Sequence, residues 1–308
     1  MRQLSRPLRW AGLVVIVLVA GVGLYLVARG DSPEAATAAG DPHGMVGDVP
    51  SEQVARILRA GRAATSDTSQ AALVAEGRRL FRSTALAKAG ESCQSCHTDG
   101  GGVNPDVGTI VHPQEPGDVK GPRDPPSLWD IADTAPYGWT GHEPDLQAFA
   151  VGTILSHFRD GASQSDATTG EQARALVAYM QTLKAPTTAF DQGRLSAAAQ
   201  RGESIFVGKG GCVGCHVGPS FTDGELHDLR VPQAPGDDDT GAAPSGPLLR
   251  AFNTPQLRDV AATAPYMHNG SLKTLRDVVQ FYDEQSVIAP LGLTPDEVND
   301  LVAYLESL

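Results

Sequence analysis

Hydrophobic and polar positions along the 308-residue chain fall into three regimes. Trp10 to Ala28 is an unbroken run of nineteen uncharged residues, preceded by Arg2, Arg6 and Arg9 and closed by Arg29. At about 1.5 Å per helical residue the run is long enough to cross a bilayer core. The arginines on its N-terminal side predict an inner-membrane anchor over residues 1–29, with the start of the chain in the cytoplasm and the body exported. A cleaved signal peptide is the other reading. The anchor is favoured because the run is long and no small-residue cleavage pattern follows Ala28 at once. Residues 30–68 then lose periodicity and are rich in Ala, Gly, Asp, Pro and Ser, which predicts a flexible tether with at most a short helix over Gln53–Arg62.

Beyond the tether, apolar positions recur at helical spacing and the chain repeats itself. GRRLF at Gly77–Phe81 returns as GESIF at Gly202–Phe206. PSLWDIADTAPYGWTG at Pro126–Gly141 aligns without a gap on PQLRDVAATAPYMHNG at Pro255–Gly270. Each half closes on an amphipathic stretch, Ala173–Leu183 and Val298–Leu308. The pattern predicts a mainly α protein of two tandem domains, 69–189 and 190–308, with the boundary near Phe190 after the breaker Pro186. Strand-like alternation is not evident, and 34 Gly and 22 Pro predict long loops. A formal charge of −12 without a basic stripe disfavours nucleic acid as a partner.

The chemistry is carried by four cysteines, which fall in two pairs, Cys93/Cys96 and Cys212/Cys215, each followed at once by a histidine, His97 or His216. Two disulfides in an exported protein, or a zinc site, are the plainer readings. The placement favours haem: CxxCH is the attachment signature of c-type haem, with two thiols reaching the porphyrin vinyl groups and the adjacent imidazole reaching iron. A closed zinc tetrahedron is disfavoured because the two pairs stand 119 positions apart in equivalent repeats. Two covalently bound haems c, one per domain, are therefore expected, which makes these tandem cytochrome c-type domains.

The paired motifs, FTDGELHDLRVP at Phe221–Pro232, and the run from Asn253 to Tyr282 with TPQLRDV, TAPYMHNG and DVVQFYD together resemble the bacterial di-haem cytochrome c peroxidases and the related MauG-type enzymes, over roughly Gly77–Leu308. The resemblance implies a first haem that reacts with hydrogen peroxide. It also implies a second haem that takes electrons from a small c-type cytochrome or another periplasmic redox protein. His97 and His216 become the proximal ligands.

The family places the second distal ligand fourteen residues after the histidine of PYxHxG, which leads from His268 to Tyr282, where peroxidases have Met and MauG-like members have Tyr. Met267 competes with it. His268 is expected on a haem propionate. For the first haem, His112 matches a removable distal ligand or is a surface histidine, with His142 and His157 as weaker candidates. Trp139 falls where the family sets an aromatic between the haems. Asp124, Thr263 and Pro265 match an interdomain calcium site. The family's distal glutamine and glutamate positions hold Phe149 and Arg159, so Arg159, Asp160, Glu143 or Asp145 would have to handle protons or charge. Beside the enzyme reading stands a membrane-tethered electron-transfer cytochrome without peroxidase activity.

Overall fold

The computed structural model describes residues 50–86, 92–98, 102–103, 110–111, 122–158, 165–233, 240–242, 245–284 and 290–308. The anchor at 1–29 and the first part of the tether lie outside these residues. Among the described residues no helix is long and apolar enough to cross a membrane.

Helices start where a side chain can satisfy the first exposed backbone N–H groups. Ser69 accepts from the N–H of Ala72 at the head of α2 (Gln70–Arg82), Ser165 from Thr168 at α5 (Asp166–Met180), and Ser196 from Ala199 at α6 (Ala197–Val207). Thr294 and Glu297 form a reciprocal capping box on α8 (Pro295–Leu305), whose first residue is a proline with no N–H to lose. The remaining helices are α1 (Ser51–Ala64), a single turn α3 (Cys93–Cys96), α4 (Leu146–Thr153), which runs on as a π-turn over Ile154–Phe158, and α7 (Leu275–Glu284). Strands among the described residues are three antiparallel pairs of two residues each, so the expected mainly α class holds.

Two apolar cores form. Ile57, Leu73, Phe81, Val151, Leu176 and Tyr179 lie in one; Phe206, Val279, Leu301, Tyr304 and Leu308 lie in the other. The repeat explains their likeness. Gly77 lets α2 lie directly on α5, since a Cβ there would stand 1.9 Å from the carbonyl oxygen of Ala175. Gly202 does the same for α6 on α8, at 2.0 Å from the carbonyl oxygen of Asp300.

The tether ends earlier than composition suggests. Residues 51–64 form α1, Ile57 is fully buried, and Gly61 crosses Gly170 of α5 so closely that a Cβ on Gly61 would meet its backbone at 2.2 Å. The small residues that read as flexible are what lets these two helices touch.

The repeated blocks make the junction between the halves. Each carries an aspartate in the left-handed region, Asp130 and Asp259, that heads a short 3-10 turn. Each accordingly donates its N–H to the last carbonyl of its own half, Leu183 or Leu308, at 3.0 Å. Across the junction the side chain of Asn253 donates to the carbonyl of Pro136 at 2.8 Å, and its backbone N–H donates to Trp139 at 2.7 Å. The Gln256 amide donates to the carbonyl of Trp129 at 2.5 Å.

Candidate haem sites and the domain junction

Each attachment motif is a short helical turn between the first long helix of its half and the repeated block. Ser92 caps α3, and its motif ends where His97 pairs with Val103 in a two-residue ladder. In the second half Gly211, in the left-handed region, opens the turn Cys212–Gly214. All four cysteines are free thiols and partly buried, which sets the disulfide reading aside. Burial pushes the Cys93 thiol up to about 12 and the Cys212 thiol up to about 11, so neither is a free thiolate nucleophile.

The histidines are the complement of that picture. Burial pushes His97 down to about 4, against a smaller upward pull from the Pro126 carbonyl. Burial also lowers His216, whose Nδ1–H donates to the carbonyl of Phe221 at 2.9 Å, with Pro255 contributing from the matching place in its block. A carbonyl on Nδ1 selects the tautomer whose Nε2 carries a free lone pair, and the neutral ring is the form that binds iron. Two thiols on one short turn and a buried, neutral imidazole beside them fit covalent haem at both motifs, and at the second the imidazole is also oriented by its bond to Phe221.

On the far side of the second motif Tyr282 reaches from α7 towards it. Its hydroxyl is pushed well above the ordinary tyrosine range, first by burial and then by the charges of Cys212 and Cys215. Met267, the competing candidate, sits at φ 69°, a backbone region bulky residues rarely adopt, where the first half has Gly138 at φ 81°. Cys215, Asp223 and His227 bring donor atoms within 4.8 Å of one another. Asp223 is already hydrogen-bonded to His227 at 2.9 Å, and a haem-bound Cys215 would have no thiolate left to offer.

In the first half, Phe149 stands on α4 beside Tyr137 and His142, with ring centroids 6.1 and 5.7 Å away. The nearby carboxylates are occupied. Asp145 caps α4, accepting from Gln147 and Ala148 at 2.8 Å each, and Glu143 accepts from the N–H of Asp145 at 2.9 Å. Each therefore has one oxygen engaged in starting α4. His142 shares a hydrogen bond with the Thr140 hydroxyl at 2.9 Å. His112, Arg159 and Asp160 lie outside the described residues, as does the side chain of His157.

At the junction Trp139 donates its indole N–H to the Asp124 carbonyl at 2.7 Å and meets the edge of His268 at 6.5 Å between ring centroids. His268 is 4% exposed and stacks on Phe252 at 3.7 Å and 10°. Phe252 is a residue the sequence reading missed, and the cross-junction bonds of Asn253 were not foreseen. Their signal was available, because they lie just ahead of the second repeated block, separated from it by Thr254 alone. Asp124 is 5% exposed and donates its N–H to the His268 carbonyl at 2.9 Å. Burial pushes its carboxyl up to about 8 despite Lys273, and its Oδ1 has no hydrogen-bond partner among the described residues. A buried oxygen without a donor suits a hard cation.

Comparison with known proteins places this geometry. A family profile described as di-haem cytochrome c peroxidase matches residues 71–170, and one described as cytochrome c matches 199–308. The methylamine utilization protein MauG of Methylorubrum extorquens is 30% identical over 280 residues, covering 76% of this chain and 77% of that protein. Cytochrome-c peroxidase IdrP1 of Denitromonas iodatirespirans is 34% identical over 181 residues, 44% of this chain, and that match spans about half of the relative, 48%. Among solved structures, a MauG-like protein associated with microbial copper homeostasis superposes with a TM-score of 0.63 at 23% identity, covering 77% of this chain and 88% of that one, and so shares the fold.

Proposed function

The chain belongs to the di-haem cytochrome c peroxidase and MauG family, and from that premise we propose that it is an exported oxidoreductase that reduces hydrogen peroxide, or uses it oxidatively. Each haem, when bound, supplies a redox-active iron. Cys93 and Cys96 would hold the first and Cys212 and Cys215 the second, with His97 and His216 as neutral proximal donors. Tyr282 is the ligand proposed opposite His216, ahead of Met267, and the observation that carries the reading is its burial against Cys212 and Cys215. A phenolate favours the ferric state and lowers the potential, a setting unlike that of a simple electron carrier.

In this reading a small periplasmic redox protein supplies electrons at the second haem. Trp139, bonded to Asp124 and edge-on to His268, lies on their route to the first. Two electrons and two protons convert peroxide to two waters. Arg159 would stabilise the leaving oxygen and Asp160 would move the proton, with His112 as a removable distal ligand. Asp124, Thr263 and Pro265 are the proposed calcium ligands, supported by the unpartnered Oδ1 of Asp124. The segment 10–28 would keep the protein on the outer face of the cytoplasmic membrane.

A second reading, a di-haem electron-transfer cytochrome, is favoured by one observation: Phe149, an apolar ring packed beside Tyr137 and His142, stands where the family has glutamine. Electron paramagnetic resonance of the haem-loaded protein, oxidised and half-reduced, separates the two. One high-spin ferric signal that disappears rapidly on adding peroxide is expected for the enzyme. Two low-spin haems that ignore peroxide would leave the carrier.

A further inference from the structure

α1 stands outside the repeat. α2 has its twin in α6, α4 in α7 and α5 in α8, but among the described residues no helix intervenes between α5 and α6 to answer α1. What α1 covers shows when the closing helices are set in the register of their shared LVAY, Leu176–Tyr179 on Leu301–Tyr304. Thr169 is 0% exposed and Gly170 is buried against α1, whereas Thr294 and Pro295, at the same places in the second half, are exposed. The crossing is tied at both ends. Arg56 pairs with Asp166 in the first turn of α5, and Arg174 donates to the Thr65 hydroxyl, which donates in turn to the Gly61 carbonyl at 2.7 Å. α1 lies against α4 as well as α5, and its Ile57 shares one core with Val151 of α4 and Ile154 of the π-turn that follows.

The twins α4 and α7 differ in what can hold them. Counting in the register of the two TAPY blocks sets Leu146 on Leu275, the first residue of each helix, and Thr153 on Tyr282. In the di-haem reading Tyr282 ties α7 to the second iron. Thr153 offers no such tie, because its hydroxyl is turned back on its own helix and donates to the Phe149 carbonyl at 3.0 Å. α4 nevertheless carries Phe149 at the family's distal glutamine position. The wall of the first iron site therefore lacks the bond that pins its counterpart, and it is the wall against which the extra helix lies.

We propose that α1 is a brace added to the first haem domain, holding α4 over an iron left open as the bond through Tyr282 holds α7 over the second. The inference rests on the di-haem reading above and makes Ile57 and Gly61 positioning residues of its first site. A reacting centre needs its distal groups fixed to within a fraction of an ångström while the sixth position of the iron stays free. A side chain bonded to the iron gives the first and forfeits the second. A helix that packs on the wall and makes no bond to the iron gives both.

The test is native-state hydrogen exchange on the full haem-loaded protein, read separately over α1, α4, α5 and α7, with electron paramagnetic resonance of the same samples. Ile57→Ala empties the buried seat of α1, and Gly61→Ala drives α1 from α5, since its methyl would meet the Gly170 backbone at 2.2 Å. In both variants the amides of α4 and its π-turn are expected to exchange on the order of tenfold faster while those of α7 keep their rates. The high-spin signal of the first haem should broaden, and the signal of the second should keep its g-values. Ile57→Val removes one methyl without endangering the fold and should give the same pattern at smaller size; exposed Arg59→Ala should give none of it. Tyr282→Phe should do the converse, quickening α7 and leaving α4 alone. Faster exchange confined to α1 and α5 overturns the inference and leaves α1 a mere cover. An α4 that quickens only together with α6, α7 and α8 overturns it too, because the loss would then be global. Consumption of the high-spin signal by peroxide is followed alongside. A protein that ignores peroxide while α4 still depends on α1 would sink the peroxidase reading and leave the brace standing.

Discussion

Replacing Gly202 by alanine tests how the second haem domain is held together. A methyl group there would stand 2.0 Å from the carbonyl oxygen of Asp300, 2.7 Å from its carbon and 2.8 Å from Cβ of Tyr304, where ordinary contact begins near 3.4 Å. The nearest obstacle is backbone, so no rotamer change relieves it and α6 must back away from α8 by roughly 1 Å or more. Overpacking of this kind costs about 1–3 kcal/mol, while alanine in a helix returns up to about 1 kcal/mol. The expected net loss is about 1 kcal/mol or more, read as a lower urea midpoint at unchanged slope. Phe206 sits on the same helix, 5.3 Å from the ring of Tyr304 and 6.5 Å from that of His216, so the Soret band should shift as well. Gly77→Ala should behave alike, since its methyl would meet the Ala175 carbonyl oxygen at 1.9 Å, whereas exposed Ser204→Ala should change little. A Gly202→Ala protein as stable as its parent would refute the close-crossing argument, because only the propensity gain would then remain.

Three further outcomes are expected. Asp259 has its carboxyl pushed up to about 6 by burial and then by Asp191, so the folded state binds its proton more tightly than the unfolded chain. Stability must therefore fall as pH rises from about 4 to 6, and Asp259→Asn should raise the melting temperature above that window and leave it unchanged below it; equal gains at all pH values would contradict this. Tyr282→Met should raise the potential of the second haem by on the order of 0.1 V in a potentiometric titration, because a thioether favours the ferrous state; an unmoved potential would remove Tyr282 from the iron. Trp139→Phe deletes the indole donor to Asp124 and should cost about 1–3 kcal/mol, while slowing electron transfer between the halves after rapid reduction of one haem; an unaltered transfer rate would place the route elsewhere.

Much of this was legible before any coordinates. CxxCH is read locally, because its spacing is the chemistry, and the gapless TAPY repeat announced two equivalent helical halves. The extent of the first half was harder. α1 is built from Ala, Gly and Arg, and composition alone cannot distinguish a tether from a helix whose small residues exist to touch another helix, as Gly61 does at Gly170. The capping contacts of Glu143 and Asp145 were hidden for a similar reason: a carboxylate that starts a helix looks like any other in sequence until the N–H groups it accepts from are placed. Phe252 was overlooked because its stacking on His268 is a contact between the end of one short strand and a distant turn, which no periodicity encodes.

The hydrogen bonds from Asn253 and Gln256 to Pro136, Trp139 and Trp129 carry a historical consequence. Duplicated modules begin as self-sufficient copies, each with its own backbone groups satisfied. Here the carbonyls of the first copy are answered by amides of the second, and the reciprocal service runs from Asp124 to His268. Parting the block at Pro126–Gly141 from the one at Pro255–Gly270 would strand those groups on both sides, and exchanging either block would require its neighbour to change in step. The symmetry survives in the letters, but the hydrogen bonds make the two blocks one interdependent unit.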